Sequence, residues 1–209
     1  MLPSPLVLLA AVAARTSTIR LGTAVIAAAL EDPMRLAEDA AVVDTLSGGR
    51  LELGFGAGSD PAAFARYGRD HGTRHADCTA VVDAVCRELE GDGLVPGAPG
   101  LRERMWWATG SPAGVDAAAA RGIGVLSGRP DEGAAAGLAG YWTRASGTPR
   151  AAACRIVPAG APAADLPGRW EGDPARPWAT HLVVQTQPAA AGFAAHLATL
   201  RGIAALACA

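Results

Sequence analysis

The sequence contains no lysine, because all 18 basic residues of the 209-residue chain are arginine. This absence excludes chemistry that needs a lysine amine, such as a Schiff base or the lysine of a phosphate-binding P-loop. The formal net charge is -2, so nothing indicates a nucleic-acid partner. Half of the residues are hydrophobic, which is sufficient for one globular domain with its own core.

Cysteine and histidine are also scarce, with four residues of each. The cysteines form no Cys-x-x-Cys pair and have no histidine pattern nearby, so we expect no metal site and a reduced, cytoplasmic protein. No Gly-x-Ser-x-Gly motif indicates a serine nucleophile, and no catalytic residue is assigned. The apolar run Leu6–Ala14 follows no basic residue and is too short to cross a bilayer. It predicts a buried helix.

Apolar β-branched segments alternate with alanine-rich helical segments along the chain. Six strands are predicted, at residues 18–26, 51–56, 104–109, 123–127, 151–157 and 181–187. Strands and helices at this spacing predict a parallel α/β fold. We interpret residues 1–209 as a single domain, in which residues 158–177 form an irregular loop rich in proline and glycine.

Three glycines occupy alternating positions at the end of the second predicted strand and just after it. Gly54, Gly56 and Gly58 give Gly-x-Gly-x-Gly, whereas a dinucleotide-binding loop needs its third glycine at position 59, which is Ser59. The acidic residue that such a site has about 20 residues later is also missing. From the residues alone, close packing of the backbone and contact with a ligand are equally good explanations of Gly54 and Gly56.

The segment Thr109-Gly110-Ser111-Pro112 connects a predicted strand to a predicted helix. Serine before proline is typical of a helix start, with Ser111 as the cap and Pro112 as the first helical residue. Free backbone N–H groups at such a helix start favour a phosphate. The alternative is an ordinary helix cap without a ligand.

Four segments together resemble the bacterial luciferase-like monooxygenases, which are flavin-dependent (β/α)₈ barrels. They read AAVAARTSTIRLGTAV, DPMRLAEDAAVVDTLSGGRLELGFGAG, WWATGSP and AARGIGVL, and the densest match lies between Ala10 and Gly58. The segment PWATHLVVQTQP is a weaker match. The resemblance implies a (β/α)₈ TIM barrel whose first two strands are missing from this sequence.

The same resemblance implies an activity and its partners. Reduced FMN is the expected cofactor, supplied by a separate NAD(P)H:flavin reductase, and O₂ and a small organic substrate are the expected co-reactants. A deazaflavin-dependent oxidoreductase is one alternative, and a non-catalytic or truncated flavin-binding relative is another. Members of the family are commonly dimers, so a homodimer is expected. The substrate is not identified.

The resemblance also implies a set of cofactor-binding residues. Thr23 and Ala24 are expected under the flavin ring, and Gly58 and Ser59 near the phosphate or the ribityl chain. The segment Thr109, Gly110 and Ser111 is expected to bind the phosphate, in agreement with the helix start described above.

One position departs from the family pattern. Many relatives have an arginine before the last glycine of Gly-x-Gly-x-Gly, where this chain has Ala57. Losing that charge-assisted contact weakens a phosphate site. We expect Arg129, which follows the predicted strand at residues 123–127, to replace it.

Overall fold

A computed structural model describes residues 4–128 and 132–207 of the chain. The described residues divide into two compact units. The first consists of residues 4–108 and 121–124, and the second of residues 109–120, 125–128 and 132–207. Each unit is built from helices and parallel strands.

The first unit contains a central strand with parallel neighbours. Its elements are α1 (Pro5–Ala13), β1 (Leu21–Gly22), β2 (Ile26–Ala27), α2 (Pro33–Ser47), β3 (Leu51–Gly56), α3 (Pro61–Arg66), α4 (Arg74–Glu90) and β4 (Met105–Ala108). Strand β3 pairs in parallel with β1, β2 and β4. Short 3₁₀ turns occupy Ala28–Leu30 and Arg102–Arg104.

The second unit repeats the arrangement around strand β6. Its elements are α5 (Pro112–Ala120), β5 (Gly124–Ser127, of which the last three residues belong to this unit), α6 (Glu132–Arg144), β6 (Ala151–Pro158), α7 (Leu166–Glu171), β7 (His181–Gln187) and α8 (Phe193–Ala207). Strand β6 pairs in parallel with β5 and β7. Two 3₁₀ turns, Ala163–Asp165 and Arg176–Trp178, flank α7.

This alternation of helices and parallel strands confirms the predicted α/β class. The prediction of one continuous strand over residues 18–26 was wrong, because Thr23–Val25 separates β1 from β2. Residues 158–177 are not irregular throughout, since they contain α7 and the two 3₁₀ turns beside it.

Helix α2 shows how local sequence sets the elements. The Asp32 side chain accepts a hydrogen bond from the Arg35 N–H (3.0 Å), and Pro33 occupies the first helical position. Gly48 ends the helix with a φ of 67°, a left-handed conformation that glycine adopts without a steric penalty. The helix buries one apolar face, formed by Leu36, Ala37, Ala40, Ala41 and Val43.

The turn between α2 and β3 is fixed by Arg50. We call residues 44–51 the SGGR corner, after its Ser-Gly-Gly-Arg sequence. The Arg50 guanidinium donates five hydrogen bonds of 2.6–3.2 Å to four carbonyl oxygens and one hydroxyl. The acceptors are the carbonyl groups of Ala13, Thr16, Ile19 and Ser47 and the hydroxyl of Thr16. One side chain thereby holds the connection from α1 to β1 against the start of β3.

A buried ion pair completes the SGGR corner. Asp44, whose side chain is 5% exposed, accepts hydrogen bonds from the Arg104 guanidinium at 2.7 and 3.0 Å. The Asp44 carboxylate also accepts from the Leu51 N–H at 3.3 Å, and Arg104 donates to the Leu51 carbonyl at 2.7 Å. The pair therefore ties α2 to the beginning of both β3 and β4.

Candidate functional site

Thr23 and Ala24, predicted to lie under a flavin ring, form the interruption between β1 and β2. The buried Thr23 hydroxyl donates to the Gly54 carbonyl and accepts from the Gly54 N–H, both at 2.9 Å. This pair of bonds fixes the interruption to the middle of β3. Ala24 is exposed.

Gly54 and Gly56 of β3 lie directly against the chain segment that separates β1 from β2, which leaves no room for a side chain. A Cβ atom on Gly54 would lie 2.1 Å from the Thr23 carbonyl oxygen, and one on Gly56 would lie 2.7 Å from Val25 Cγ2. No other residue type fits under the crossing chain. Close backbone packing is therefore sufficient to explain both glycines.

Gly58 and Ser59 lie at the start of α3, just after β3. Gly58 has a φ of 81°, and a Cβ atom there would lie 3.0 Å from the ring of Phe64 and 3.2 Å from Ala27 Cβ. Ser59 is exposed. The next residue, Asp60, accepts a hydrogen bond from the Ala62 N–H (3.0 Å) and caps α3. The structure thus brings Gly58 to the end of β2 and leaves the Ser59 hydroxyl at the surface.

Thr109, Gly110 and Ser111 lie together at the start of α5, and we call residues 109–112 the TGSP turn. The Ser111 hydroxyl accepts from the Gly114 N–H at 3.1 Å, which is the geometry of a helix cap. The Ser111 N–H in turn donates to the Thr109 hydroxyl at 3.3 Å. Gly114 permits this packing, since a Cβ atom there would lie 1.9 Å from the Thr109 hydroxyl oxygen.

Two N–H groups of the TGSP turn region remain free. Within the described part of the chain, neither the Gly110 N–H nor the Ala113 N–H has a hydrogen-bond acceptor. The Ala113 N–H belongs to the first turn of α5, where the helix dipole stabilises an anion, and Gly110 directly precedes the capping residue Ser111. Since Ser111 uses its oxygen as an acceptor, its hydroxyl proton is also available to donate.

A cavity of about 530 Å³ within the second unit is lined by Gly110 and Ser111, and Ala113 follows the lining residue Pro112. Its walls come from the TGSP turn, from β5 and from small residues of α6, among them Ala134 and Gly137. Its polar groups are the hydroxyls of Thr109, Ser111 and Ser127 and the guanidinium of Arg144. A phosphate-bearing ligand fits this combination of hydroxyls, free N–H groups and open volume.

An arginine other than the predicted one contributes positive charge to the cavity. Arg129, expected to replace the charge missing at Ala57, lies outside the described residues. Arg144, which the sequence did not single out, lines the cavity and pairs with Asp116 at 3.1 Å. A basic residue in the last turn of a predicted helix is a common helix-end feature and is therefore a weak signal for a ligand.

Residues 1–166 match the luciferase-like monooxygenase family. The chain belongs to this family. Among the described residues, no group of three His, Cys, Asp or Glu side chains is arranged to hold a metal ion. None of the helices in residues 4–128 and 132–207 combines the length and apolar character required to cross a membrane.

Relatives of this luciferase-like chain align over short segments. It is 48% identical over 68 residues to an uncharacterized protein of Sinorhizobium fredii, which covers 32% of this chain and 19% of the relative. It is 38% identical over 89 residues to 4-hydroxyprotoasukamycin monooxygenase of Streptomyces nodosus, covering 43% of this chain and 24% of the relative. The aligned segments thus span a quarter or less of these relatives.

Solved structures resemble this luciferase-like chain over most of its length. Monooxygenase RslO1 from Streptomyces bottropensis matches with a TM-score of 0.79 at 21% identity, over 97% of this chain and 82% of RslO1. The oxygenating constituent of 3,6-diketocamphane monooxygenase from Pseudomonas putida, solved with FMN, matches with 0.65 at 18% identity, over 83% and 58%. The coenzyme F420-dependent tetrahydromethanopterin reductase of Methanopyrus kandleri matches with 0.57 at 20% identity, over 74% and 56%. The fold is therefore α/β of the luciferase-like barrel type.

Proposed function

We propose that the chain acts as a luciferase-like monooxygenase that binds reduced FMN by its phosphate at the TGSP turn and oxygenates a small organic substrate with O₂. The observation that carries this proposal is the start of α5, where the Gly110 and Ala113 N–H groups have no acceptor among the described residues and where Gly110 and Ser111 line the 530 Å³ cavity. Such groups at a helix start bind phosphate. Family membership and the FMN complex of the diketocamphane enzyme support the choice of cofactor.

The phosphate is held by Thr109, Gly110 and Ser111 in this proposal. The Gly110 and Ala113 N–H groups and the Ser111 hydroxyl donate to its oxygens, and the dipole of α5 favours its negative charge. Arg144 adds positive charge to the same cavity.

Thr23, Ala24, Gly58 and Ser59 stay predicted cofactor contacts that rest on the family resemblance, and the phosphate site of the second unit does not depend on them. When bound, reduced FMN supplies two electrons, with which one atom of O₂ enters the substrate and the other leaves as water. A separate NAD(P)H:flavin reductase supplies the reduced cofactor.

A deazaflavin is the second candidate cofactor, because the F420-dependent reductase has a similar fold. Its ribityl phosphate presents the same group to the TGSP turn as FMN does. Titration of the chain with FMN and with a deazaflavin phosphate separates the two, since only the ring differs. If the deazaflavin is the cofactor, the reaction is hydride transfer without O₂.

The substitution Ala113→Asp tests the phosphate site. Ala113 is exposed in the first turn of α5, where an added carboxylate stabilises the helix by about 0.3–1 kcal/mol. The same carboxylate repels a bound phosphate, so we expect FMN affinity, measured by fluorescence quenching, to fall at least about tenfold. Riboflavin, which lacks the phosphate, should bind both proteins equally.

Ala113→Asn is the matched control, because it has the same shape without the charge. We expect it to bind FMN within about twofold of the parent chain. Equal FMN affinity in the Asp and Asn variants would show that the phosphate does not bind at the TGSP turn. If the parent chain binds neither FMN nor the deazaflavin, the cofactor assignment itself is wrong, and flavin binding without substrate oxygenation would identify a non-catalytic relative.

A further inference from the structure

A second cavity, of about 300 Å³, lies between β6 and α7 in the second unit. Its apolar surface comes from Ile156, Val157, Leu166 and Trp170, and Arg169 stands at its edge. Ile156 is 54% exposed, which is unusual for an isoleucine inside a paired strand. The side chain therefore faces open volume at the cavity.

Strand β6 extends beyond its pairing with β5. The pairing of β5 with β6 ends at Ser127 and Ala153, whereas β6 continues beside β7 as far as Pro158 and Gln187. Peptide groups along a strand alternate in direction, and the Ala151 carbonyl accepts from the Thr180 N–H on the β7 side. The Ile156 peptide therefore points the other way, to the side of β6 on which β5 pairs.

Two charged residues that line the cavity, Arg155 and Asp173, form an ion pair with each other. The Arg155 guanidinium donates two hydrogen bonds to Asp173, of which the one from Nη2 to Oδ1 is 2.8 Å, and both side chains are about 10% exposed. These bonds lower the pKa of Asp173, so the carboxylate stays ionised and paired. Burial raises the pKa of the nearby Cys154 thiol, which therefore stays neutral.

Arg169 differs from these groups. It is exposed, and it has no acidic partner within residues 4–128 and 132–207. Arg169 and Trp170 both line the cavity, so the cavity offers one positive charge and one aromatic surface to the same ligand. The lining is otherwise apolar, which is the usual composition of a small-molecule site.

We propose that this cavity binds a small planar aromatic carboxylate. The ring packs between Trp170 and Ile156, and the carboxylate accepts hydrogen bonds from the Arg169 guanidinium. The proposal is independent of the flavin site, since none of these residues belongs to the TGSP turn. The ligand class follows from the positive charge of Arg169 and the apolar lining of the cavity.

The test is the binding of 1-naphthoate and of its uncharged counterpart 1-naphthamide, measured by calorimetry on the full chain. Arg169→Gln should weaken 1-naphthoate about tenfold and leave 1-naphthamide within twofold, because only the charge-assisted bond is lost. Trp170→Ala should weaken both ligands at least fivefold, and Trp170→Phe should restore most of that loss. The fold of each variant is checked by its circular dichroism and denaturation midpoint.

Arg176→Gln is the matched control, since Arg176 is also exposed but does not line the cavity. It should bind 1-naphthoate as the parent chain does. Equal affinities in the Arg169 and Arg176 variants would overturn the assignment of the carboxylate, and no binding of 1-naphthoate to the parent chain up to millimolar concentration would overturn the site. The Ala113→Asp variant should bind 1-naphthoate normally, which separates this proposal from the flavin assignment.

Discussion

The SGGR corner of the first unit and the TGSP turn of the second unit are both short connections that carry the family resemblance, yet their polar groups are used in opposite ways. In the SGGR corner, the side chains of Arg50 and Asp44 form hydrogen bonds with other groups of the protein. In the turn, the N–H groups of Gly110 and Ala113 have no acceptor among the described residues. The densest part of a family signature can therefore be structural, and its sparser part can be the binding site.

The largest expected effect comes from removing the carboxylate of the SGGR corner. Asp44→Ala leaves the Arg104 guanidinium, 16% exposed, without its ion-pair partner. We expect the free energy of unfolding to fall by about 3–5 kcal/mol, as in other broken buried pairs, measured by urea denaturation. Riboflavin and FMN affinities of the folded fraction should not change.

Asp44→Asn separates charge from shape in the same place. The amide oxygen can still accept from the Leu51 N–H, so its cost should be smaller than that of the alanine variant. If Asp44→Ala instead keeps its stability and loses FMN binding, the corner is part of the site and the contrast with the TGSP turn fails.

Ser111→Ala has a moderate effect and acts on both stability and binding. Its hydroxyl caps α5 through the Gly114 N–H, so losing it should cost about 1 kcal/mol of stability. The phosphate also loses a donor, so FMN affinity should fall several-fold while riboflavin affinity does not. Denaturation together with the two flavin titrations checks this. A loss of stability with no change for FMN would reduce the turn to an ordinary helix cap.

Local signals predicted much of the fold and the TGSP turn. The start of α2 at Asp32-Pro33 and its end at Gly48 follow from residue types that act within one turn of helix. The start of α5 at Ser111-Pro112 follows in the same way. The phosphate hypothesis rested on this cap, and the free N–H groups agree with it, although their ligand stays a prediction.

Long-range contacts account for what the sequence did not predict. The strand expected at residues 18–26 is interrupted because Thr23 bonds to Gly54, 31 positions away. Apart from Ser47, the partners of Arg50 lie 31–37 positions away, and Arg104 lies 60 positions from Asp44. Helix α7 was missed because its sequence, Leu-Pro-Gly-Arg-Trp-Glu, contains residues that usually break helices, although proline is tolerated in a first turn.

Gly137→Ala should give a small gain in stability near the TGSP turn. Gly137 is in α6, and an added Cβ would meet only Val115 Cγ2, at an ordinary contact distance of 3.8 Å. Alanine is favoured over glycine inside a helix, so we expect the free energy of unfolding to rise by about 0.5–1 kcal/mol. Gly114→Ala is the contrasting variant, since its Cβ would displace the Thr109 hydroxyl and should lower stability.

The smallest expected effect concerns Glu31, a half-buried carboxyl group of the first unit that, unlike Asp44, has no hydrogen-bond partner among the described residues. Burial, with a smaller contribution from Asp39, raises its pKa above the ordinary value of 4.5. The ionised form is therefore penalised in the folded protein, so stability declines as the pH rises through the interval between the ordinary and the raised pKa. Glu31→Gln should be more stable than the parent chain at pH 7 by about 0.5 kcal/mol or less, with the difference vanishing below pH 4.5. Urea denaturation at both pH values checks this, and a variant less stable than the parent at pH 7 would mean that the Glu31 carboxylate has a stabilising partner, as Asp44 does.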